Sequence, residues 1–427
     1  MPRRECRSLR VMLTSMSSGL RLCVVSMHTS PAHLPGSGDA GGMNVVEQAQ
    51  AFALARLGHH VELVTRRADP SDPDVVELAP GVLLRHLDAG PRAPLAKSLI
   101  DDHLDEFSAG LSRLGDYDLF HSHHWMSGVA ALPVARAQGA PHVQSFHSVA
   151  ALPGSPLSAG EPPESGRRVA GEAQVARASD AVVAISAAEA HTVIERCGAD
   201  PDAVEIVPPG VDHELFRPLA DGEQRWMPPG VGALPHGYVC FAARLQPLKA
   251  PDLALRALAL VDPAIRPHLV LAGDASADFA DYTDQLSALV EDLDLRGQVS
   301  FVGPQRRDGL AAILRGSRVV LVPSHSETFG LVALEAASSG TPVIAAASGG
   351  LREAVAHGET GQLMDSREPQ EWARALTRLL TEPALLDVMG RVARVHARRF
   401  DWEWTARRLA ALYLGLVDRG SARLVTR

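Results

Sequence analysis

The feature that most constrains this chain is a repeated alternation of short apolar runs with segments of helical periodicity. Residues 21–27 form the first such run, which is typical of a buried parallel strand. A glycine-rich loop over 36–42 follows, residues 45–57 have helical spacing, and Gly58 is placed to end that helix. Residues 60–65 are the next predicted strand. This strand–helix–strand order predicts a parallel sheet, because the helix carries the chain back to start the next strand in the same direction.

The same alternation occurs twice along the chain. It continues through predicted strands at 117–121 and 142–146, with a helix at 129–138 between them. An irregular stretch over 211–237, which contains four prolines, separates it from a second series that begins with a strand at 238–242. The sequence therefore predicts an α/β fold of two parallel-sheet domains that face each other across a cleft, where ligands usually bind. The predicted parts are a flexible extension over 1–20, a first domain over 21–212, a linker over 213–237, a second domain over 238–400, and a C-terminal helix over 401–427 that packs back on the first domain.

Composition opposes several classes of function. The formal net charge of -9 argues against broad electrostatic binding to nucleic acid or to an anionic membrane. No apolar run reaches the ~20 residues that span a bilayer. The four cysteines form no CxxC pair, which favours a reducing, cytoplasmic setting over a disulfide framework.

The sharpest motif extends from Pro323 to Glu335. A predicted strand ends just before it, and its loop turns into a helix near Phe329. Free backbone N–H groups at that helix start, at Gly330 and Leu331, would form an anion site. Gly330 would also let a phosphate approach the backbone closely.

Two carboxylates flank this helix start. Glu327 lies in the loop, and Glu335 lies about one turn into the helix. One could accept hydrogen bonds from sugar hydroxyls and the other from ribose hydroxyls, which suits a nucleotide sugar. The alternative gives Glu327 a capping role and Glu335 a solvated face. We favour the functional interpretation, because Glu335 lies between Leu334 and Ala336 in a largely apolar helix.

Two cations and a second loop accompany this motif. Arg244 follows the strand at 238–242, and Lys249 precedes the next predicted helix, so both point from one end of the sheet. Together they could neutralise a departing diphosphate, although a pair of surface cations is the alternative. The loop that contains Asp39, Gly42 and Asn44 follows the first strand, and its glycines allow close approach of a ligand.

The histidines do not predict a metal centre. His121 and His123 share one face of a strand, but no third ligand with convincing spacing accompanies them, so core or cleft-lining roles are favoured over zinc. The Asp-x-Asp pairs at 72–74 and 292–294 lie in a proline-rich loop and at a helix end, and neither fits a metal clamp. No cofactor is therefore expected to be required, and Mg²⁺ is compatible with the chemistry without being implied by a motif.

Together these motifs resemble those of the retaining glycosyltransferases of family 4, which have the GT-B fold of two facing Rossmann-like domains. The resemblance extends from residue 21 to the C-terminus and implies a nucleoside-diphosphate sugar as donor, with front-side attack and retention of configuration. The donor-binding residues that it implies are Gly42, Arg244, Lys249, Glu327, Phe329, Gly330, Leu331 and Glu335. The catalytic residues are Arg244, Lys249, Glu327 and His147.

Within that family the chain is most similar to the mycothiol-pathway enzymes that glycosylate 1D-myo-inositol 3-phosphate. The matching segments lie at 28–31, 38–44, 121–128 and 245–251. This similarity implies a UDP-GlcNAc-like donor and a small polar acceptor whose phosphate contacts Lys97 and Arg168, and a homodimer is compatible with it. The implied acceptor-binding residues are His28, Asp39, Asn44, Lys97, His124, Ser148 and Arg168.

Three departures from those enzymes all fall on the acceptor side. His124 replaces a Tyr, Ser148 replaces a Thr, and the neutral residues 151–154 replace a Lys-Val-Lys-Asn stretch. An aminocyclitol or thiol acceptor in secondary metabolism, with a GDP-sugar donor, therefore stays open as an alternative. From another class, a Rossmann-type oxidoreductase is opposed by the lack of a clean GxGxxG motif and of an acid after the second strand. A non-catalytic scaffold is opposed by the complete donor motifs.

Overall fold

A computed structural model describes residues 19–151, 166–275 and 279–425 of the chain. The expected flexible extension over 1–20 lies almost wholly outside these residues. So does the neutral stretch at 151–154, apart from Ala151.

The first sheet has eight strands in the order β3-β4-β2-β1-β5-β6-β7-β8. Its strands are β1 (Arg21–Val25), β2 (His60–Arg66), β3 (Val75–Ala79), β4 (Val82–Leu87), β5 (Leu119–His123), β6 (His142–Ser145), β7 (Ala181–Ala184) and β8 (Val204–Ile206). All neighbours are parallel except β3 and β4, which are antiparallel. The expectation of a purely parallel sheet is therefore wrong at this edge, because Pro80 and Gly81 form a two-residue connection that reverses the chain and Gly81 has a positive φ of 81°.

The second sheet has six strands, all parallel, in the order β11-β10-β9-β12-β13-β14. They are β9 (Tyr238–Ala242), β10 (His268–Ala272), β11 (Val299–Gly303), β12 (Val320–Val322), β13 (Val343–Ala346) and β14 (Gly361–Met364). The strand order runs outward from β9 in one direction and from β12 in the other. Open α/β sheets commonly bind ligands at such a switch point.

Helices cover both sheets. In the first half they are α1 (Gly42–Arg56), α2 (Lys97–Ile100), α3 (Leu104–Leu111), α4 (Trp125–Gln138), α5 (Arg168–Ala178) and α6 (Ala187–Thr192). In the second half they are α7 (Pro251–Ala259), α8 (Tyr282–Asp292), α9 (Arg307–Gly316), α10 (Leu331–Ser338), α11 (Leu351–Ala354), α12 (Pro369–Thr381), α13 (Pro383–Ala397) and α14 (Trp402–Val425).

Two helices begin earlier than the sequence predicted. Helix α1 starts at Gly42 instead of residue 45, because the side chain of Asn44 accepts a hydrogen bond from the N–H of Gly41 at 2.8 Å and caps the helix. Helix α4 starts at Trp125 instead of residue 129, so His124 stands directly before it. Both corrections move the start of a helix towards the cleft.

The central strands of each sheet are buried on both faces. Along β1, Leu22 and Val24 belong to one apolar cluster, whereas Cys23 and Val25 belong to another on the opposite face. This two-sided burial explains why the strands are continuous apolar runs. Cys23 and Cys240 lie in these cores as free thiols.

The C-terminal helix α14 returns to the first sheet. The segment that returns from the second half to the first lies beside the segment that leaves the first half, and there the N–H of Val211 donates to the carbonyl of Phe400 at 3.2 Å. Leu409 and Tyr413 then pack in the same apolar cluster as Val46 and Leu54 of α1. The two halves are thus tied together by the last helix as well as by the linker.

Substitution of Leu409 tests the packing of α14 against the first half. Leu409 is completely buried, so we expect Leu409→Ala to lower the free energy of unfolding by about 2–5 kcal/mol through lost burial and a residual cavity. Urea denaturation followed by tryptophan fluorescence measures the change. Leu260→Ala, at a leucine that is 51% exposed, is the matched control and should have a much smaller effect. Equal effects of the two substitutions would contradict the packing.

Candidate active site

A cavity of about 490 Å³ lies between the two sheets, at the edge where the parallel strands end. His28, Gly42 and His147 line it from the first half, and Arg244 and Glu327 line it from the second. Its volume falls within the range of about 300–1,000 Å³ that is usual for small-molecule sites.

The loop between β12 and α10 brings Glu327 to Lys249. The Lys249 ammonium donates to Glu327 Oε1 at 2.7 Å, and the Ser324 hydroxyl donates to the same oxygen at 2.9 Å. Both charged side chains keep some exposure to the cavity, with side-chain exposures of 17% and 18%. The two motifs that the sequence placed at one sheet edge are therefore in direct contact.

Gly330, the N-cap residue directly before helix α10, has a left-handed conformation with a φ of 95°. A Cβ on this residue would lie 2.4 Å from Leu351 Cδ2, so a larger residue would both strain the backbone and displace that side chain. The first N–H groups of a helix have no partner within it, and here they belong to residues that line the cavity. This helix start offers a ready site for an anion.

Glu335 is held by a cation that sequence analysis missed. It is only 2% exposed, and its Oε1 accepts a hydrogen bond from Arg307 Nη2 at 2.6 Å. The guanidinium of Arg307 also lies 4.6 Å from the ring centroid of Phe216. Arg307 is the first residue of α9, where a cation opposes the helix dipole, and that conflict is the signal that could have marked it.

The glycine-rich loop lies against the opposite wall. Asp39 Oδ1 is 3.5 Å from Arg244 Nη1, so this ion pair crosses from one half of the protein to the other. A Cβ on Gly42 would lie 3.3 Å from Leu331 Cδ1. Gly42 therefore lies close to the start of α10.

Several residues expected to bind the acceptor line the cavity from the first half of the chain. They include His28, Lys97, His124 and Ser148. The rings of His28 and His124 lie 4.2 Å apart between centroids. Arg196 lines the cavity as well and donates to the carbonyl of Ala150, and no sequence motif marked it.

Two other expected acceptor residues lie behind this wall. The Asn44 amide donates to Ser30 O at 2.8 Å and to Thr29 Oγ1 at 3.1 Å, so it fixes the glycine-rich loop instead of lining the cavity. Arg168 is 5% exposed and donates to Glu172 Oε1 at 2.7 Å. It also donates to the hydroxyl of Ser148, which lines the cavity, at 3.2 Å.

His147 lies where the two halves meet. Its backbone has a positive φ of 59°, and its carbonyl accepts a hydrogen bond from the Thr328 hydroxyl of the second half. A second contact across the cleft runs from the Ser186 hydroxyl to the Thr328 carbonyl at 2.7 Å. The Glu353 carboxylate also accepts from the N–H of Ala187 at 2.9 Å. These contacts hold the halves close together around the cavity.

Within the described residues, no group of three His, Cys, Asp or Glu side chains could hold a metal ion. Over the same residues, no helix is both long and apolar enough to cross a membrane.

Comparison with known proteins agrees with this architecture. Residues 40–215 match the model of Glycosyltransferase Family 4, and residues 233–396 match that of Glycosyl transferases group 1. The D-inositol 3-phosphate glycosyltransferase of Streptomyces griseus is 41% identical over 92% of this chain and 88% of its own length. That of Thermomonospora curvata is 42% identical over 94% of this chain and 97% of its own length. The chain belongs to the same glycosyltransferase family as these two relatives.

The fold of this glycosyltransferase is GT-B. The solved structure of sucrose-phosphate synthase from Thermosynechococcus elongatus superposes with a TM-score of 0.84 and 29% identity, and the match covers 94% of this chain and all of that one. The family assignment overturns the alternatives of an oxidoreductase and of a scaffold.

Glu189 gives the glycosyltransferase a specific pH dependence. Burial raises the pKa of this cavity-lining carboxyl to about 7, although the N–H of Ile185 donates to it at 2.7 Å. A raised acid pKa means that the folded state binds the proton more tightly, so stability falls as pH rises between about 4.5 and about 7. We expect a loss on the order of 3 kcal/mol across this window from Glu189 alone.

Urea denaturation at several pH values measures this loss. Glu189→Gln should remove this loss, so the change in unfolding free energy from about pH 4.5 to about pH 7 should be more favourable than in the wild type by about that amount. Glu195→Gln, at an exposed neighbour, should leave the pH dependence of the wild type unchanged. The same slope in wild type and Glu189→Gln would show that Glu189 titrates normally.

Proposed function

We propose that this glycosyltransferase moves a sugar from a nucleoside-diphosphate sugar, of the UDP-GlcNAc type, to a small polar acceptor with retention of configuration. The observation that carries the proposal is the convergence of Arg244, Lys249 and the start of α10 on one wall of the cavity. Two cations and a helix N-terminus supply the positive potential that a departing diphosphate needs. The proposal requires no metal.

The carboxylates suit the hydroxyl groups of such a donor. Glu327 faces the cavity beside Lys249, and Glu335 is set one turn into α10 beside Arg307. We assign Glu327 to the transferred sugar and Glu335 to the ribose. Gly42 leaves room for the diphosphate, and Phe329 closes the wall behind Gly330.

Retention by front-side attack is consistent with the hydrogen bonds and ion pairs of the carboxylates that line the cavity. Among the described residues, the carboxylates that line the cavity are each engaged in a hydrogen bond or an ion pair, and these are Asp39, Glu189, Glu327 and Glu335. A covalent mechanism would need a carboxylate free to attack the anomeric carbon. In the proposed reaction the departing phosphate accepts the proton of the acceptor, and His147 hydrogen-bonds the sugar.

For the acceptor we propose an inositol phosphate, of the kind used by the relatives named D-inositol 3-phosphate glycosyltransferase. Lys97 lines the cavity and would contact the phosphate of the acceptor. His28, His124 and Ser148 also line the cavity and would surround the inositol ring. One observation favours a second candidate, an unphosphorylated acceptor such as an aminocyclitol. The guanidinium of Arg168 already pairs with Glu172, so less positive charge is left for a phosphate.

Removal of both diphosphate-binding cations tests the donor site. Arg244→Ala combined with Lys249→Ala should lower turnover by at least about 10³-fold, since each removes charge that stabilises the leaving group. The control is Arg352→Ala with Arg407→Ala, which removes two exposed arginines that also form ion pairs. Sugar transfer is followed by release of nucleoside diphosphate, and melting temperature reports folding. Near-normal turnover in the first double variant would refute the assignment.

Lys97→Ala tests the acceptor. It should raise KM for inositol 3-phosphate about tenfold or more, because a phosphate loses a charged contact. Turnover of unphosphorylated inositol should not change, and Arg92→Ala, at an exposed cation nearby in sequence, is the control. Equal use of both acceptors by the wild type would instead support the unphosphorylated candidate.

A further inference from the structure

A line of buried polar side chains extends from helix α1 to the cavity. Glu47 of α1 is completely buried, and His123, the last residue of β5, is 1% exposed. A Glu47 carboxyl oxygen lies 4.0 Å from His123 Nδ1. That nitrogen in turn lies 2.7 Å from Nε2 of His147. The proposed mechanism uses His147 but neither of the two residues behind it.

These two residues are poorly satisfied by the rest of the protein. Within the described residues, neither Glu47 oxygen nor His123 Nε2 has a hydrogen-bond partner. The neighbouring Ser26 hydroxyl donates to the carbonyl of Thr29. His121, whose ring centroid is 4.4 Å from that of His123, already has both nitrogens in hydrogen bonds, with Tyr413 and Ser145. Buried polar groups left in this state are uncommon, and this one adjoins a cavity-lining histidine.

The bond between the two histidines contains one proton when both rings are neutral. Burial lowers the pKa of His147 to about 3 and that of His123 well below its usual value, so both are neutral at neutral pH. Their planes lie within 16° of parallel, with centroids 5.0 Å apart, so the rings meet edge to edge. Either His123 Nδ1–H donates to His147, or His147 Nε2–H donates to His123.

Two features favour His123 as the donor. Burial raises the pKa of Glu47 well above its usual value and favours the neutral carboxyl, but the partial negative charge of its Oε1, 4.0 Å from His123 Nδ1, still favours a proton on that nitrogen. The opposite arrangement would put a proton on His123 Nε2 and bury an N–H without an acceptor, and buried N–H groups are rarely left unpaired. With His123 as donor, the neutral His147 ring must carry its own proton on Nδ1.

We propose that Glu47 and His123 are positioning residues that hold His147 with its proton on Nδ1, so that it presents an N–H donor at the cavity. This inference rests on the proposed function only for the use of that donor towards a sugar oxygen. The tautomer itself is a property of the protein without substrate. The backbone of His147 is held separately by Thr328, so the ring depends on His123 for its orientation.

Nitrogen NMR of the full chain labelled with ¹⁵N-histidine tests the tautomer directly. His147→Gln identifies the His147 signals, and the ring nitrogen shifts show which nitrogen carries the proton. Wild type should show Nδ1–H at His147. His123→Leu and Glu47→Leu should each convert His147 to a mixture of tautomers, whereas His123→Asn, whose amide can donate from the Nδ1 position, should preserve Nδ1–H.

Kinetics supply the second readout. His123→Leu should lower kcat about tenfold with little change in KM, and it should have no further effect in a His147→Gln background. A wild-type His147 protonated on Nε2, or an unchanged tautomer in His123→Leu, would overturn the inference. Where a leucine variant does not fold, the wild-type and His123→Asn spectra still decide it. Absence of sugar transfer by the wild type would refute the proposed function alone, since the tautomer is measured without substrate.

Discussion

The direction of the parallel strands is the constraint on which this site depends. In the second sheet every strand runs the same way, and in the first only β3 is reversed. The loops that follow the strands must therefore emerge at one edge of each sheet. Because the two edges face each other, the residues after β1, β5, β9 and β12 converge on a single cavity although they lie far apart in sequence.

Charge pairing then determines the state of this cavity before any ligand binds. Lys249 pairs with Glu327, Arg307 with Glu335, and Arg244 with Asp39. Each pair holds two long side chains in a defined position, which lowers the cost of organising them around a substrate. The Asp39–Arg244 pair is longer than the others and joins the two halves, so an incoming diphosphate would compete with Asp39 for Arg244.

The features that depend on residues close together in the sequence could be predicted from it. Continuous apolar runs predicted most strands of both sheets, and the motif after β12 predicted the helix that begins after Gly330. Features set by tertiary contacts were missed. Asn44 and Arg168 have side chains suited to ligands, but buried partners engage both, and no local pattern reveals those partners. The β3–β4 hairpin was missed although Pro80 and Gly81 are recognisable turn residues.

Buried groups were the hardest to interpret. Glu47 lies in a helix whose spacing gives no sign that an acid faces the core, and only the fold brings His123 next to it. Arg307 could have been noticed, because an arginine at the first position of a helix is electrostatically unfavourable unless an acid offsets it. Its partner Glu335 lies 28 residues further along the chain, on another helix, and only the fold brings the two side chains into contact.

A crystal structure of the protein with bound UDP is the most direct test of the proposed diphosphate site at Arg244, Lys249 and the start of α10. We expect the diphosphate to contact Arg244, Lys249 and the backbone N–H groups of Gly330 and Leu331, with the ribose hydroxyls on Glu335. A diphosphate bound elsewhere, with the Lys249–Glu327 and Asp39–Arg244 pairs undisturbed, would contradict it.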